Sequence, residues 1–474
     1  MQKEVTIHWF RQDLRVTDNP SLFHACKSDL IIPVYIFDEA SHDSLLQGQA
    51  SLTWLYKSLF HLNKSLSNNL LILRGNPLDI LKTLASKNKV SRVFWNRCYS
   101  PREIARDSLI KKELQTQNID CKTFNGSLLW EPWEVLKDDG TPYRVFTSYY
   151  RKGCSRTKVP RLPLPSPKKI FFAKVTKLQQ VEIVERASKY DWQKKILKHA
   201  FIGERNAEIK LMNFLKSNLS SYRKGRDFPA SGHVSSLAPN IHFGEISVNQ
   251  IWTKVNQIKS DENTSHFFRE LGWREFAHYL LYHNPKMIHD NLQSKFDSFP
   301  WDKDSKNLQN WQFGQTGIPM VDAGMRELWE TGSMHNRLRM IVGSFLVKNL
   351  LIDWRLGARW FWDCLFDADL ASNTTGWQWI SGCGVDAVPY FRIFNPISQG
   401  KKFDPNGDYI RRFVPELRNL ELEYIFAPWE SPKSSLKKAG ITLGKTYPFP
   451  IVDLTTSRQK ALKAFSSLKK APFS

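Results

Sequence analysis

Two hydrophobic rhythms alternate through roughly the first 125 residues. Short apolar runs (VTIHWF from Val5, LIIPVYIF from Leu30, LLIL from Leu70, VSRVFW from Val90) have the length and β-branched content of buried strands. Between and after them lie helix-length segments at 20–27, 49–66, 77–86 and 101–115, three of them opened by a proline, which suits a first helical turn. Apolar strands separated by helices predict a doubly wound parallel sheet, an α/β domain over residues 1–128. The first strand runs into RQDLRVTDNP, not a G-x-G-x-x-G turn, so the usual dinucleotide cradle is missing. Arg11, Asp13 and Arg15 read there as a structural ion-pair cluster.

The rhythm is lost over 129–205. Between Arg151 and Lys177 stand nine Lys or Arg, four Pro and no acidic residue, the pattern of a long connector crossing a surface. It reads first as a solvated linker and second as a DNA contact. From 206 to 474 helix-period patterns dominate, without sustained strand alternation or a solenoid repeat, which predicts a large all-α domain. Within it, 334–379 departs from an ordinary core pattern. Asn336, Arg339 and Met340 fall at i, i+3 and i+4, and Asp369, Asn373 and Trp377 at i, i+4 and i+8. Amide, guanidinium, carboxylate and indole replace the usual aliphatic stripe, as in the wall of a polar, π-rich pocket. Arg339 and Asp367 are the cation–anion pair expected to meet inside it, and such a pair is usually kept for reasons other than stability.

Charge sharpens the picture. Lys+Arg 68 against Asp+Glu 46 gives +22, which points to a polyanion, with nucleic acid the leading candidate. Of 17 Trp, ten lie between Trp252 and Trp379; indoles among basic residues suit stacking on bases or on a flat cofactor. The six cysteines lack metal-ligand spacing and read as free thiols in a reducing compartment, and no metal site is expected. Neither a secretory signal nor an apolar stretch near the ~20 residues of a membrane span is present. A cytoplasmic, nucleoid-associated monomer is the expectation.

Two further stretches carry chemistry. In ELGWREFAHYL, Glu270, Trp273 and Arg274 share a helical face, either a Glu–Arg surface pair beside a core Trp or a face that takes a base edge, a ring and a phosphate. In YRKGRDFPASGHVSSLAP from Tyr222, a serine-rich loop precedes a helical segment, a common arrangement that can seat phosphate.

Taken in order, WFRQDLRVTDNPSL, WREF, MVDAGMRELWETGSMHNRLRMIVGSFLVKNLLIDW, DADLASNTTGWQW, YFRIFNPISQGKKFDPNGDYIRRFVPEL and YPFPIVD resemble the DNA photolyase/cryptochrome family, most of all class I cyclobutane pyrimidine dimer photolyases. The resemblance covers essentially the whole chain. It implies a helical domain that holds FAD, and light-driven electron donation from reduced FAD to a dimer flipped out of UV-damaged DNA. It assigns FAD contacts to Tyr222, Val234, Ser235, Ser236, Leu237, Ala238, Phe267, Arg274, Asn336, Arg339, Asp367, Asp369 and Asn373, with Asn373 beside the reactive edge of the flavin. Glu270, Trp273, Asn336, Met340 and Trp379 would take the lesion, and Arg226, Arg274, Arg337 and Arg392 would anchor DNA. Trp377, Trp354 and Trp301 match the family's electron relay.

The chain departs from the family pattern at two places. The loop usually reads Thr-Ser-x-Leu-Ser but here has Val234 and Ala238, which shifts phosphate binding toward backbone N–H groups, Ser235 and Ser236. Folate-binding members carry Asn-Glu where this chain has Arg102 and Glu103, so folate is in doubt, and a deazaflavin, a second flavin or an empty antenna site are the alternatives. The (6-4) photolyases carry histidines where this chain has Asn336 and Met340, which favours cyclobutane dimers. Only nine residues follow YPFPIVDLTTSRQKALKAF, which favours the enzyme over a cryptochrome photoreceptor, the alternative reading.

Overall fold

The computed structural model describes residues 4–38, 47–175, 180–182, 190–386 and 391–468. Its contacts divide it into two compact units, Met1–Ser220 with Ser235–Pro285, and Ser221–Val234 with Lys286–Ser474.

The first unit is built on a five-stranded parallel sheet of order β3-β2-β1-β4-β5. The strands are β1 (Val5–Phe10), β2 (Leu30–Asp38), β3 (Leu71–Gly75), β4 (Val90–Asn96) and β5 (Asp120–Phe124). All six residues of β1 are buried, as a strand flanked by neighbours and covered on both faces requires. It pairs in register with β2, Val5 opposite Leu30 and Phe10 opposite Tyr35. The helices Pro20–Ala25, Pro77–Asn88 and Pro101–Gln115 start at their prolines because Asn19, Asn76 and Ser100 precede them as caps that accept backbone N–H groups. The periodicity did not reveal β5: DCKTF is short and only Cys121 in it is buried.

The order of the sheet reverses between β1 and β4, where open α/β sheets commonly bind ligands. Here the protein's own polar side chains occupy that end. Arg11 pairs with Asp107 at 2.8 Å and lies over Trp9, 4.4 Å from the ring, while Asn96 donates to Asp13 and Asn19. The expected Arg11–Asp13–Arg15 cluster therefore needs correcting. Asp13 accepts the Arg11 backbone N–H, whereas buried Arg15 donates to the carbonyls of Asp18, Gly126 and Gly244. The buried carboxylates of Asp18 and Asp13 also lie near enough to offset its charge through space. Gly244, at φ +66°, comes so near the Gln12 carbonyl that a Cβ would sit 2.2 Å from its oxygen.

The connector is mostly irregular, as its prolines dictate, with a π-helical turn at Tyr149–Cys154 and a bridge from Phe172 to Ile31 beside the sheet. Positions 176–179 and 183–189 of it lie outside the described residues.

The second unit is helical among the described residues apart from isolated bridges. Its core gathers Pro319–Thr331, Asn336–Ser344, Trp354–Cys364 and Leu370–Ser381 around Trp311, Leu338, Val342, Leu346, Phe361 and Trp377. Three of these helices begin at side-chain caps: His335 accepts from Arg337, Asp353 from Arg355 and Asp369 from Ser372. Gly332 and Gly382, at φ 67° and 91°, close Pro319–Thr331 and Leu370–Ser381 in the left-handed conformation.

Candidate functional site

The polar stretch 334–379 folds into the helices its spacing predicts. Arg339 donates through Nε to the Met334 carbonyl at 2.9 Å and through Nη2 to both Asp367 oxygens at 2.9 and 3.0 Å. The expected ion pair thus forms, with 26% of the Arg339 side chain and 12% of that of Asp367 left exposed. One end of the guanidinium is thus locked while part of it faces outward. Asp369 is an N-cap rather than a helical face residue, with Oδ1 accepting from Ser372 N–H at 2.8 Å. Asn373 donates from Nδ2 to the Ala358 carbonyl at 3.0 Å, which turns its own carbonyl oxygen toward the role of acceptor.

Behind this wall, Glu327 accepts from Tyr409 Oη and from His335 N–H, and burial raises its carboxyl above the ordinary range. Burial, then the charges of Arg337 and Arg226, lowers the His335 imidazole to about 4. Neutral at physiological pH, His335 keeps Nδ1 as the acceptor that caps the helix. Helical spacing alone did not single out either residue.

Asn336 is exposed at the first position of that helix, and Met340 is half-buried one turn on. Arg337 pairs with Asp227 at 2.6 Å and lies over Phe403, 4.1 Å from the ring. Arg226 lies over buried Tyr222 at 5.5 Å. Arg392 is exposed and Trp379 half-buried.

Three indoles assigned to the relay occupy graded environments. Trp377 is buried, its ring edge-on to Phe361 at 4.9 Å and Trp311 at 6.2 Å, and its Nε1 finds no hydrogen-bond partner among the described residues. Gly357 makes room for it, since a Cβ there would lie 2.2 Å from the indole. Trp354 is buried and donates to Asn291 at 3.0 Å. Trp301 is half-buried and packs on Phe299 at 4.4 Å.

In the first unit the long helix Glu262–His283 carries Phe267, buried against Phe214 at 4.9 Å, and half-buried Glu270. Trp273 stacks on Phe146 at 3.8 Å. Arg274 pairs with buried Glu275 and donates to the Ser127 carbonyl, both at 2.9 Å. The loop runs through half-buried Val234 and Ser235, exposed Ser236 and buried Leu237 to exposed Ala238, which opens the helix Ala238–His242. Ser236 adopts φ 51° and Leu237 φ −88°, ψ −6°; such a change of sign aims successive N–H groups one way and cradles anions. Lys210 holds the loop through the Ser236 carbonyl and Asn240, with its ammonium lowered to about 8 by burial. No motif had pointed to Lys210.

In the second unit, Arg339, Asp367, Asp369 and Asn373 offer the mixed donors and acceptors that a flavin ring with polar edges needs. In the first unit, the Ser236–Leu237 turn offers backbone donors of the kind that take phosphate. Among the described residues, no group of three or more His, Cys, Asp or Glu is placed to hold a metal, and no helix is long and apolar enough to cross a membrane.

Comparison with known proteins agrees. Residues 6–168 match the family described as DNA photolyase, and residues 267–467 match the FAD binding domain of DNA photolyase. The chain is 44% identical to a deoxyribodipyrimidine photo-lyase of Agrobacterium fabrum across 98% of each protein. It is 37% identical to cryptochrome-2 of Arabidopsis thaliana across 98% of this chain and 79% of that protein. A crystal structure described as a class III photolyase from Agrobacterium tumefaciens has a TM-score of 0.94 and 43% identity over 99% of both chains. The chain belongs to the DNA photolyase/cryptochrome family, and its helical region is a FAD-binding domain. The class I expectation is corrected by this likeness to a class III enzyme.

Proposed function

We propose that the chain is a deoxyribodipyrimidine photo-lyase, repairing cyclobutane pyrimidine dimers in UV-damaged DNA under blue light, of the class III type. The observation that carries this is the full-length identity of 44% to a photo-lyase, joined to a polar wall with Arg339 fixed between Asp367 and Met334.

Bound and reduced, FAD supplies the electron that splits the dimer. The chain's residues hold and position. Tyr222, Ser235, Ser236, Leu237 and Phe267 would take the phosphate and ribityl side, and Arg339, Asp367, Asp369 and Asn373 the ring's polar edges. Arg274 would lend its charge from beside Glu275. Glu270 and Asn336 would bond the dimer's carbonyl and imide edge, with Trp273, Met340 and Trp379 as apolar walls. Arg226, Arg337 and Arg392 would neutralise DNA phosphates without reading sequence. Trp377, Trp354 and Trp301 would carry electrons inward from the half-exposed end of the series. The protein would act on DNA in the cytoplasm as a monomer.

A photoreceptor without repair is the competing reading, favoured by the 37% identity to a plant cryptochrome. The test is Glu270→Ala. It should lower dimer repair by roughly 10-fold or more while leaving the flavin absorbance per protein unchanged, as loss of a charged hydrogen-bond partner predicts. Unchanged repair, or loss of the flavin with the repair, would refute the assigned role.

A further inference from the structure

Lys210 stands on the helix Glu204–Ser217 and meets the turn Ser236–Leu237 from its carbonyl side. Its ammonium donates to the Ser236 carbonyl at 2.5 Å and to Asn240 Oδ1 at 3.0 Å. That carbonyl and the Leu237 N–H belong to one peptide unit. A cation on the oxygen of a peptide draws charge toward it and strengthens the N–H as a donor. The Leu237 N–H reaches only Ser235 Oγ, at 3.5 Å, the outer limit of a hydrogen bond, so its capacity is barely used.

A buried amide and carboxyl aim the ammonium. Asn240 donates both Nδ2 hydrogens, to Glu245 Oε2 at 2.7 Å and to the Phe201 carbonyl at 2.9 Å, which leaves its Oδ1 as the acceptor for Lys210. Glu245 is wholly buried, and its Oε1 accepts the Gly203 N–H at 2.8 Å and Trp54 Nε1 at 3.3 Å. Glu245 is also the charged group that acts on Lys210. One turn away on the same helix stand Asn206, Ala207, Asn213 and Phe214, all uncharged. His242 of the short helix packs on Phe243 at 4.6 Å, and His61 of the helix Gln49–Ser65 packs on Gly203, its imidazole lowered by burial. A diphosphate at the turn would favour the charged form of Lys210 and raise its pKa from about 8.

We propose that Lys210 is a positioning residue for the flavin nucleotide, holding the Ser236–Leu237 peptide so that its N–H meets the diphosphate of FAD, with Asn240 and Glu245 aiming the ammonium. The inference rests on the assignment of this turn to the phosphate side of FAD. Binding then takes up a proton wherever Lys210 is neutral in the flavin-free protein, so affinity is flat below about pH 8 and falls above it.

The test follows FAD release from the diluted holoprotein by flavin fluorescence at pH 7.5 and pH 9.5. The wild-type Kd should rise roughly 3- to 10-fold over that range. Lys210→Met should raise Kd roughly 10-fold at pH 7.5 and match the wild type within about threefold at pH 9.5, where the wild-type charge is already lost. Lys210→Arg keeps a cation at both values and should flatten the profile, which a residue that only packs the helix would not do. Glu245→Gln removes an acceptor that Asn240 needs and should weaken FAD at pH 7.5 roughly threefold or more. Parallel pH profiles in wild type, Lys210→Met and Lys210→Arg, or wild-type affinity in Glu245→Gln, would overturn the inference. Leu237 incorporated as its α-hydroxy acid deletes the N–H alone and should raise Kd as much as Lys210→Met does. An unchanged Kd there would instead overturn the assignment of the turn to FAD, and the role of Lys210 with it.

Discussion

Lys348 is a buried cation inside the helical core. It sits in the π-helical turn Phe345–Asn349, is 1% exposed, and places its ammonium 3.3 Å from the centre of the Phe391 ring. Burial lowers its pKa from 10.5 to about 7. The folded pKa lies below the unfolded one, so the unfolded chain takes up this proton first as the pH falls. Stability is therefore lost as pH drops from about 10 to 7, and the full penalty persists below 7. At about 1.36 kcal/mol per unit, the shift costs roughly 4 kcal/mol at pH 7 and roughly 2 kcal/mol at pH 9. Lys348→Met keeps an unbranched chain of similar length and removes the charge. By scanning fluorimetry, the Tm of the helical unit should rise on the order of 10 °C at pH 7 and about half as much at pH 9. A Tm at or below wild type at pH 7, or a gain as large at pH 9, would refute the reasoning.

Three other substitutions test the site. Gly357→Ala would force a methyl against the Trp377 indole, a contact of 2.2 Å. It should destabilise by about 1–3 kcal/mol in chemical denaturation and slow flavin photoreduction as the ring is displaced. Asp367→Asn removes the carboxylate that fixes Arg339, so flavin dissociation followed by fluorescence should show a Kd raised roughly 10-fold or more. Asp227→Asn releases Arg337 from its ion pair and should tighten DNA binding at low salt by roughly threefold, whereas Arg337→Ala should lower the slope of log Kd against log salt by about 0.9.

Much of the fold could be read before the structure, because local rules govern it. The first four strands begin within a residue of their apolar runs, and the proline-opened helices start where Asn19, Asn76 and Ser100 cap them. The β5 strand escaped because an exposed edge strand needs no apolar alternation. The polar helical faces of 334–379 were legible from spacing. Long-range partners were not: Arg337 finds Asp227 110 residues away, Arg274 finds Ser127 147 residues away, and Arg15 bonds the carbonyls of Gly126 and Gly244. Such pairings are settled by tertiary packing, which no local window reports.

The central claim is light-driven repair. Purified, reduced, FAD-loaded protein is mixed with UV-irradiated DNA, and thymine dimers are counted after blue light and after an equal time in darkness. Dimers should be lost in the light alone, with intact thymines restored in equal measure. Dimers that persist under blue light while FAD remains bound and reduced would contradict it.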